Sequence, residues 1–265
     1  MIDALLNFDF IRYSLISGLL IGFIAPLIGA FIVVRRLSLI ADALSHVTLG
    51  GISFGMFLLT IIPVFSVINP MWFGILFAVI GALLIEKLRT SFSNYQEIAI
   101  PIIMSAGIAL SAIFISLADG FNQEIVGLLF GSISAVNISD LTTIIIITII
   151  VLIFIVLFYK ELFILSFDEE YSKVIGIPKW IQFLFIVIVA MVISASMRVV
   201  GILLVSALIT LPIAISMRIT KGFKQLIALS VILGELSVIL GLIIAFYMNI
   251  SPGGVIVVLL VLMLI

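Results

Sequence analysis

Asp42 and His46 are the residues of this chain best equipped for chemistry, and they sit in an unpromising place for it. The run LSLIADALSHVTLGG (37–51) puts the acid and the only histidine of the 265-residue chain four positions apart among apolar and small neighbours. On a helix that spacing brings both side chains to one face, one turn apart. Three kinds of chemistry fit the pair. Asp42 can accept a hydrogen bond from His46 and pin the helix to its neighbours. The imidazole titrates near neutral pH and can relay protons. A carboxylate oxygen and an imidazole nitrogen also suit zinc, manganese or ferrous iron. One of each is too few for such an ion, and with no cysteine and no second histidine the chain cannot complete a nitrogen-rich site alone. A two-fold dimer presents the same patch twice, which would give four ligands.

The elements that must position this pair follow from composition. Hydrophobic residues make up 65% of the chain and charged residues 9%, with a mean hydropathy of +1.55. Soluble domains carry about 25% charged residues, so this surface must largely face lipid. A net charge of −1 gives no basis for nucleic-acid binding, and the absence of cysteine excludes a disulfide framework or thiolate site. Apolar runs cover 12–34, 37–62, 70–88, 98–118, 141–159, 181–197, 201–217, 225–248 and 252–265. Most reach the roughly 20 residues a spanning helix needs. The last is short enough for a half-span. Runs such as TTIIIITIIVLIFIVLF (142–158) lack the alternation of a membrane barrel strand. The expected fold is therefore an all-α integral membrane protein, a polytopic bundle of about eight to nine transmembrane helices forming a single domain over 1–265. MIDALLNFDF lacks a basic leader region, so no cleavable signal peptide is expected.

Lys and Arg set the orientation. Arg35 and Arg36, then Lys87 and Arg89, then Lys160, Lys173 and Lys179, then Arg218, Lys221 and Lys224 fall in alternate connections. Only Arg12 and Arg198 fall elsewhere, which predicts an outside N-terminus and outward segments 63–70, 119–140 and 249–252. With Arg36 at the inner surface, a rise of about 1.5 Å per residue places Asp42 about 9 Å deep and His46 about 15 Å deep. Ser38, Asp42, His46, Gly50 and Ser53 then form one polar and small stripe. An acid near a helix centre costs roughly 2.5–3.5 kcal/mol on insertion scales, which marks it as bundle-facing or functional.

Other features are read as supporting structure. Ser14, Gly18, Gly22, Pro26 and Ala30 recur at spacing four, with Gly29 beside them, a packing face for close helix approach. Pro101 and Pro212 are expected to kink their helices. Glu235 is read as a buried, hydrogen-bonded acid or a second ion station, with the structural role favoured. Arg198 can pair with Asp119, Glu124 or Asp140. No G-x-x-x-x-G-K-[ST] phosphate loop occurs, so ATP-driven work would need a separate ATPase. The longest cytoplasmic connection, 160–179, offers Ser166 and Glu169 at capping-box spacing and a stop signal in Gly176 and Pro178. That predicts a helix over 167–175 with Ser166 as N-cap and Asp168, Glu169 and Glu170 in its first turn.

The run VVRRLSLIADALSHVTLGGI (33–52) resembles the signature of the permease subunits of ABC importers for zinc, manganese and iron. LLFGSISAV (128–136), LSFDEEYSKVIGIP (165–178), SMRVVGILLVSALITLPIAISMR (196–218) and SPGG (251–254) agree in order. The likeness covers nearly the whole chain. It implies a homodimer of the cobalamin-importer type, two ATP-binding cassette ATPase subunits and an extracytoplasmic metal-binding protein, in the cell membrane. It implies that Asp42 and His46 bind the transported metal, with no covalently bound cofactor and no enzymatic step on this chain. It also implies that Ser166, Asp168, Glu169, Glu170, Tyr171, Lys173 and Gly176 couple to the ATPase. The form RRLSLIADALSHVTL looks closer to the zinc branch than to the manganese branch. A proton-coupled carrier and a non-transporting scaffold remain the alternatives.

Overall fold

In lipid no water is present to bond exposed peptide groups, so the apolar runs must satisfy their backbones internally as helices. The computed structural model describes residues 7–62, 69–92, 94–118, 123–132 and 136–265, with the side chains of Gln123 and Glu169 excepted. The helices run in the order α1 Asp9–Val34, α2 Leu39–Ile61, α3 Met71–Ser91, α4 Ala99–Leu117, α5 Gln123–Phe130 and α6 Ile138–Leu157. They continue with α7 Tyr159–Phe167, α8 Glu169–Ile175, α9 Lys179–Val200, α10 Ile202–Met217, α11 Phe223–Met248 and α12 Pro252–Leu264. No strand occurs among the described residues.

All nine expected runs are helical, and among the described residues seven helices are long and apolar enough to cross a membrane: α1, α2, α3, α4 with the 3₁₀ turn that leads into it, α6, α9 and α11. The remaining two, α10 and α12, have 16 and 13 residues, or about 24 and 20 Å of helix. Two of the nine apolar runs are thus cut short of a full span's length. Gly201, at φ 89°, ends α9 and opens α10. Ser251 caps α12, which has Pro252 in its first turn.

α1 is the buried axis of the bundle. It packs against α11, α10, α6 and α9, and its small residues set the distances. A methyl group on Gly29 would lie 2.2 Å from the Ile209 carbonyl oxygen, and one on Gly234 of α11 would lie 2.7 Å from the Gly22 carbonyl oxygen. The spacing-four stripe is a packing face, as read from sequence. Pro101 is the third residue of α4, where an amide proton has no helical partner anyway, so the expected kink has no cause there. Pro212 lies inside α10.

α1 ends in a Schellman closure: the Leu37 amide donates to the Ile32 carbonyl at 3.0 Å and the Arg36 amide to the Val33 carbonyl at 2.9 Å. The closing position is usually glycine. Here it is Arg36, at φ 59°, a left-handed conformation that costs a β-carbon-bearing residue about 1–2 kcal/mol.

The connection after α6 differs from expectation. Ser166 is not a cap: it is buried inside α7, and its hydroxyl donates to the Leu162 carbonyl oxygen at 2.7 Å. Leu162 and Leu165 bury one face of α7 and hold that turn helical. The chain turns extended two residues later, at Asp168 (φ −151°, ψ 98°), whose carboxylate accepts the Tyr171 amide at 2.8 Å. Asp168 is therefore the N-cap of α8. The stop holds as read. Gly176, at φ 81°, donates to Lys173, and Ile177 donates to Ser172 at 3.0 Å, a second Schellman closure. An aromatic cluster ties α7 to the bundle: Tyr159, Phe163 and Phe167 meet Phe223 of α11, and Tyr159 meets Phe31 of α1.

Candidate metal centre and coupling segment

Asp42 lies in the first turn of α2 and His46 one turn further along. The structure puts them on the same face, with His46 Nε2 and Asp42 Oδ1 4.0 Å apart. That is beyond a hydrogen bond, so the pair does not form the pinning bond considered from sequence. Neither side chain makes a hydrogen bond among the described residues. Both stay partly open, with side-chain exposures of 20% for His46 and 37% for Asp42. The stripe itself is only half open: Gly50 and Ser53 are buried, and the Ser53 hydroxyl has no hydrogen-bond partner among the described residues. Among those residues no three His, Cys, Asp or Glu side chains cluster as a metal site.

Two neighbours fix the backbone beneath His46, and sequence reading missed both. A methyl group on Gly107 of α4 would lie 2.8 Å from the Val47 nitrogen and 3.0 Å from the His46 carbonyl carbon. Four residues on, the Ser111 hydroxyl donates to the Gly107 carbonyl at 2.7 Å and lies 3.1 Å from the His46 carbonyl oxygen. On the other side a methyl on Gly51 would lie 2.5 Å from the Phe73 carbonyl oxygen of α3. α2 is clamped between α3 and α4 at the level of the pair. The sequence signal was Gly107 and Ser111 at spacing four, opposite the glycines of α2.

On the predicted outer side a second charged group is closed. Asp140 is fully buried and forms a capping box with Asn137 at the start of α6. Its Oδ1 lies 3.6 Å from Arg198 Nε and 3.4 Å from Asn69 Nδ2. Arg198 Nη2 lies 3.9 Å from Glu124 of α5. The structure thus chooses two of the three partners proposed for Arg198; Asp119 lies outside the described residues. Gly131 and Gly201, both at positive φ, let α5 and the α9–α10 junction meet backbone to backbone beside this group. Glu235 stands apart on α11, partly buried and without the expected hydrogen bond among the described residues.

On the predicted cytoplasmic side, Arg89 is buried and donates to Glu86 and Gln96, each at 3.1 Å, while Gln182 of α9 donates to Glu86 at 2.7 Å. Sequence reading had counted Arg89 only as an orientation signal. Of the coupling residues, Asp168, Glu170, Tyr171, Lys173 and Gly176 are exposed, Ser166 is not, and the Glu169 side chain lies outside the described set. α8 also exposes Val174 and Ile175, so with Tyr171 it shows an uncovered apolar face.

Among the described residues, seven helices long and apolar enough to cross a membrane define a multi-pass membrane protein. The model of the ABC 3 transport family matches residues 7–265. The chain belongs to that family. It is 32% identical over 252 residues to a probable metal transport system membrane protein of Treponema pallidum, covering 94% of this chain and 91% of that one. It is 30% identical over 254 residues to the manganese transport system membrane protein MntC of Listeria monocytogenes, covering 96% and 88%. Its fold is similar to the solved structure of PsaBC from Streptococcus pneumoniae in complex with Fab, with a TM-score of 0.85 and 30% identity over 99% of this chain and 92% of that one.

Proposed function

We propose that this chain is the permease subunit of an ATP-driven importer of divalent metal ions, and that Asp42 and His46 form half of the site through which the metal passes. The observation that carries this reading is the open, unbonded pair, 4.0 Å apart, in a chain whose described residues supply no third ligand. A zinc ion with ligands at ~2.0–2.2 Å would hold a nitrogen and an oxygen roughly 3.4 Å apart at the tetrahedral angle, so a shift of about 0.6 Å closes the pair on an ion. A homodimer supplies the other carboxylate and imidazole. Two ionised aspartates balance a divalent cation, which can be held firmly enough to lose water and loosely enough to leave.

In this reading the N-terminus is outside and the residues of 1–265 act as one permease domain. An extracytoplasmic binding protein delivers metal to the outer face. Two ATPase subunits dock at the cytoplasmic face, against α8. Movement of α8 passes to α7 across the Asp168 cap and, through the aromatic cluster at Phe223 and Phe31, into α11 and α1 as packed bodies. The chain itself makes and breaks no covalent bond.

Zinc is the first reading for the cargo, supported by the form RRLSLIADALSHVTL and by a four-ligand set of two imidazoles and two carboxylates. Manganese is the second, favoured by the name of the MntC relative. Uptake of radiolabelled zinc and manganese into vesicles holding the complex tests both. The proposal expects uptake that needs ATP, with Asp42→Asn and His46→Gln abolishing it. Uptake by this chain alone that collapses with the proton gradient would overturn it in favour of a proton-coupled carrier.

A further inference from the structure

A cavity of about 660 Å³ lies between α7 and the start of α11, on the predicted cytoplasmic side, and the transport reading leaves it unused. Tyr159, Phe163 and Phe167 line it from α7, a stripe at spacing four. From the other side comes Phe223, its ring 5.4 Å from Phe163 and 5.6 Å from Phe167, together with the exposed Lys221 and Lys224. Neither lysine side chain has an ion pair or hydrogen bond among the described residues, and the described lining holds no carboxylate. α11 adds no acid in its first turn. The positive charge at this cavity is therefore unanswered within the described chain.

A bias of positive charge to the cytoplasmic side accounts for two solvated lysines. It does not account for an aromatic hollow beside them, in which Phe163 and Phe167 stay exposed. Such surface is unfavourable against water and comfortable against hydrocarbon. Depth and continuity agree. α11 has 26 residues, about 39 Å of helix, or about 9 Å more than a hydrocarbon layer of about 30 Å, so its ends fall at headgroup level. The chain that leads into each side of the cavity is apolar and exposed: Val156 and Leu157 run into Tyr159, and Ile219 lies two residues before Lys221. The hollow thus continues the lipid-facing surface.

We propose that this cavity binds one anionic phospholipid, with its phosphate on Lys221 and Lys224 and its acyl chains against Phe163 and Phe167. The site goes beyond the transport reading and does not depend on it. An ammonium is a compact point charge on a flexible stem, which suits a phosphate, and basic pockets between membrane helices on the cytoplasmic side take lipid headgroups. Bound there, the lipid bridges α7 to α11 beside the rings that already tie them.

The test is native mass spectrometry of the purified full-length permease, titrated with phosphatidylglycerol and, separately, with phosphatidylcholine of the same chains. We expect wild type to prefer phosphatidylglycerol. Lys221→Gln and Lys224→Gln should each weaken its binding about fivefold, and the double variant about thirtyfold, with phosphatidylcholine unaffected. Lys179→Gln, an exposed cation on the same side, should match wild type. Gly222→Phe separates the cavity from its charge. The Gly222 backbone is extended, at φ −155°, and a β-carbon there meets nothing within 4 Å, so the new ring fills the hollow and leaves both lysines in place. It should abolish the preference. A double lysine variant that binds phosphatidylglycerol like wild type would overturn the inference. A Gly222→Phe variant that does so would overturn it in favour of a diffuse surface charge. Displacement of the lipid by an equal concentration of inorganic phosphate would overturn it in favour of a free-anion site. ATPase binding weakened about tenfold by the double variant in phosphatidylcholine nanodiscs, where no anionic lipid is present, would overturn it in favour of a protein contact.

Discussion

Two charged groups in this molecule receive opposite treatment. Asp140 and Arg198 are buried with opposite charges and polar groups close at hand: Asn137 closes a capping box with Asp140, Asn69 and Glu124 approach, and two glycines bring the surrounding backbones together, although Arg198 Nε, 3.6 Å from Asp140, has no hydrogen-bond partner among the described residues. Asp42 and His46 lie deeper along the chain's predicted path through the membrane, yet stand open and unbonded. A charge that serves folding is satisfied within the chain, because an unmet charge in a poorly hydrated place costs several kcal/mol. On the proposed reading, the pair is left unmet because its partner, a metal ion, arrives from outside. The contrast would then separate structural polar groups from functional ones within one bundle.

The comparison breaks most visibly if Asp140 is removed. Asp140→Ala removes the carboxylate half of the α6 capping box, which accepts the Asn137 amide, and leaves Arg198 without its nearest carboxylate, which should destabilise the protein by about 3–5 kcal/mol. The check is a thermal melt of the purified protein in detergent, where Asp42→Ala should by contrast leave the midpoint nearly unchanged. Equal losses in the two variants would erase the distinction. A smaller effect is expected at Gly107. Gly107→Ala forces α4 away from the His46 backbone, at about 1–3 kcal/mol of overpacking, and should depress metal uptake more than it lowers the melt. Uptake that falls only in proportion to recovered protein would show that Gly107 packs without positioning.

Gly176→Ala should fray the end of α8 by about 1 kcal/mol, since alanine resists φ 81°. Its readout is weakened ATPase binding with metal binding retained. Smallest of all, Ser53→Ala should change stability by no more than about 0.5 kcal/mol, because its hydroxyl bonds to nothing among the described residues. A larger change would mean that the upper stripe belongs with the open pair, and would redraw the boundary between the two kinds of region.

The bundle was legible because lipid imposes one rule on every apolar run, and that rule shows in composition. The nine runs, the packing stripe of α1, the Gly176 stop and the shared face of Asp42 and His46 all follow from local spacing. What stayed hidden depends on distant neighbours. Ser166 and Asp168 are both sound N-caps, and burial of Leu162 and Leu165 decides between them by keeping Ser166 inside α7. The choice of Asp140 and Glu124 for Arg198 depends on how α5 and α6 fold back. Gly107 and Ser111 look like any small residues until α4 is laid on α2. Arg36 carries no mark in sequence of its left-handed backbone, because the closure that demands it lies three and four residues upstream in Ile32 and Val33.

Metal stoichiometry tests the central claim most directly. If Asp42 and His46 are half of a site completed across a two-fold axis, the purified permease with its ATPase should bind one zinc or manganese ion per two chains by equilibrium dialysis with elemental analysis. Asp42→Asn and His46→Gln should each remove that ion while leaving assembly intact, since each substitution deletes two of four ligands at once. One ion per chain, or an ion retained by both variants, would contradict the account.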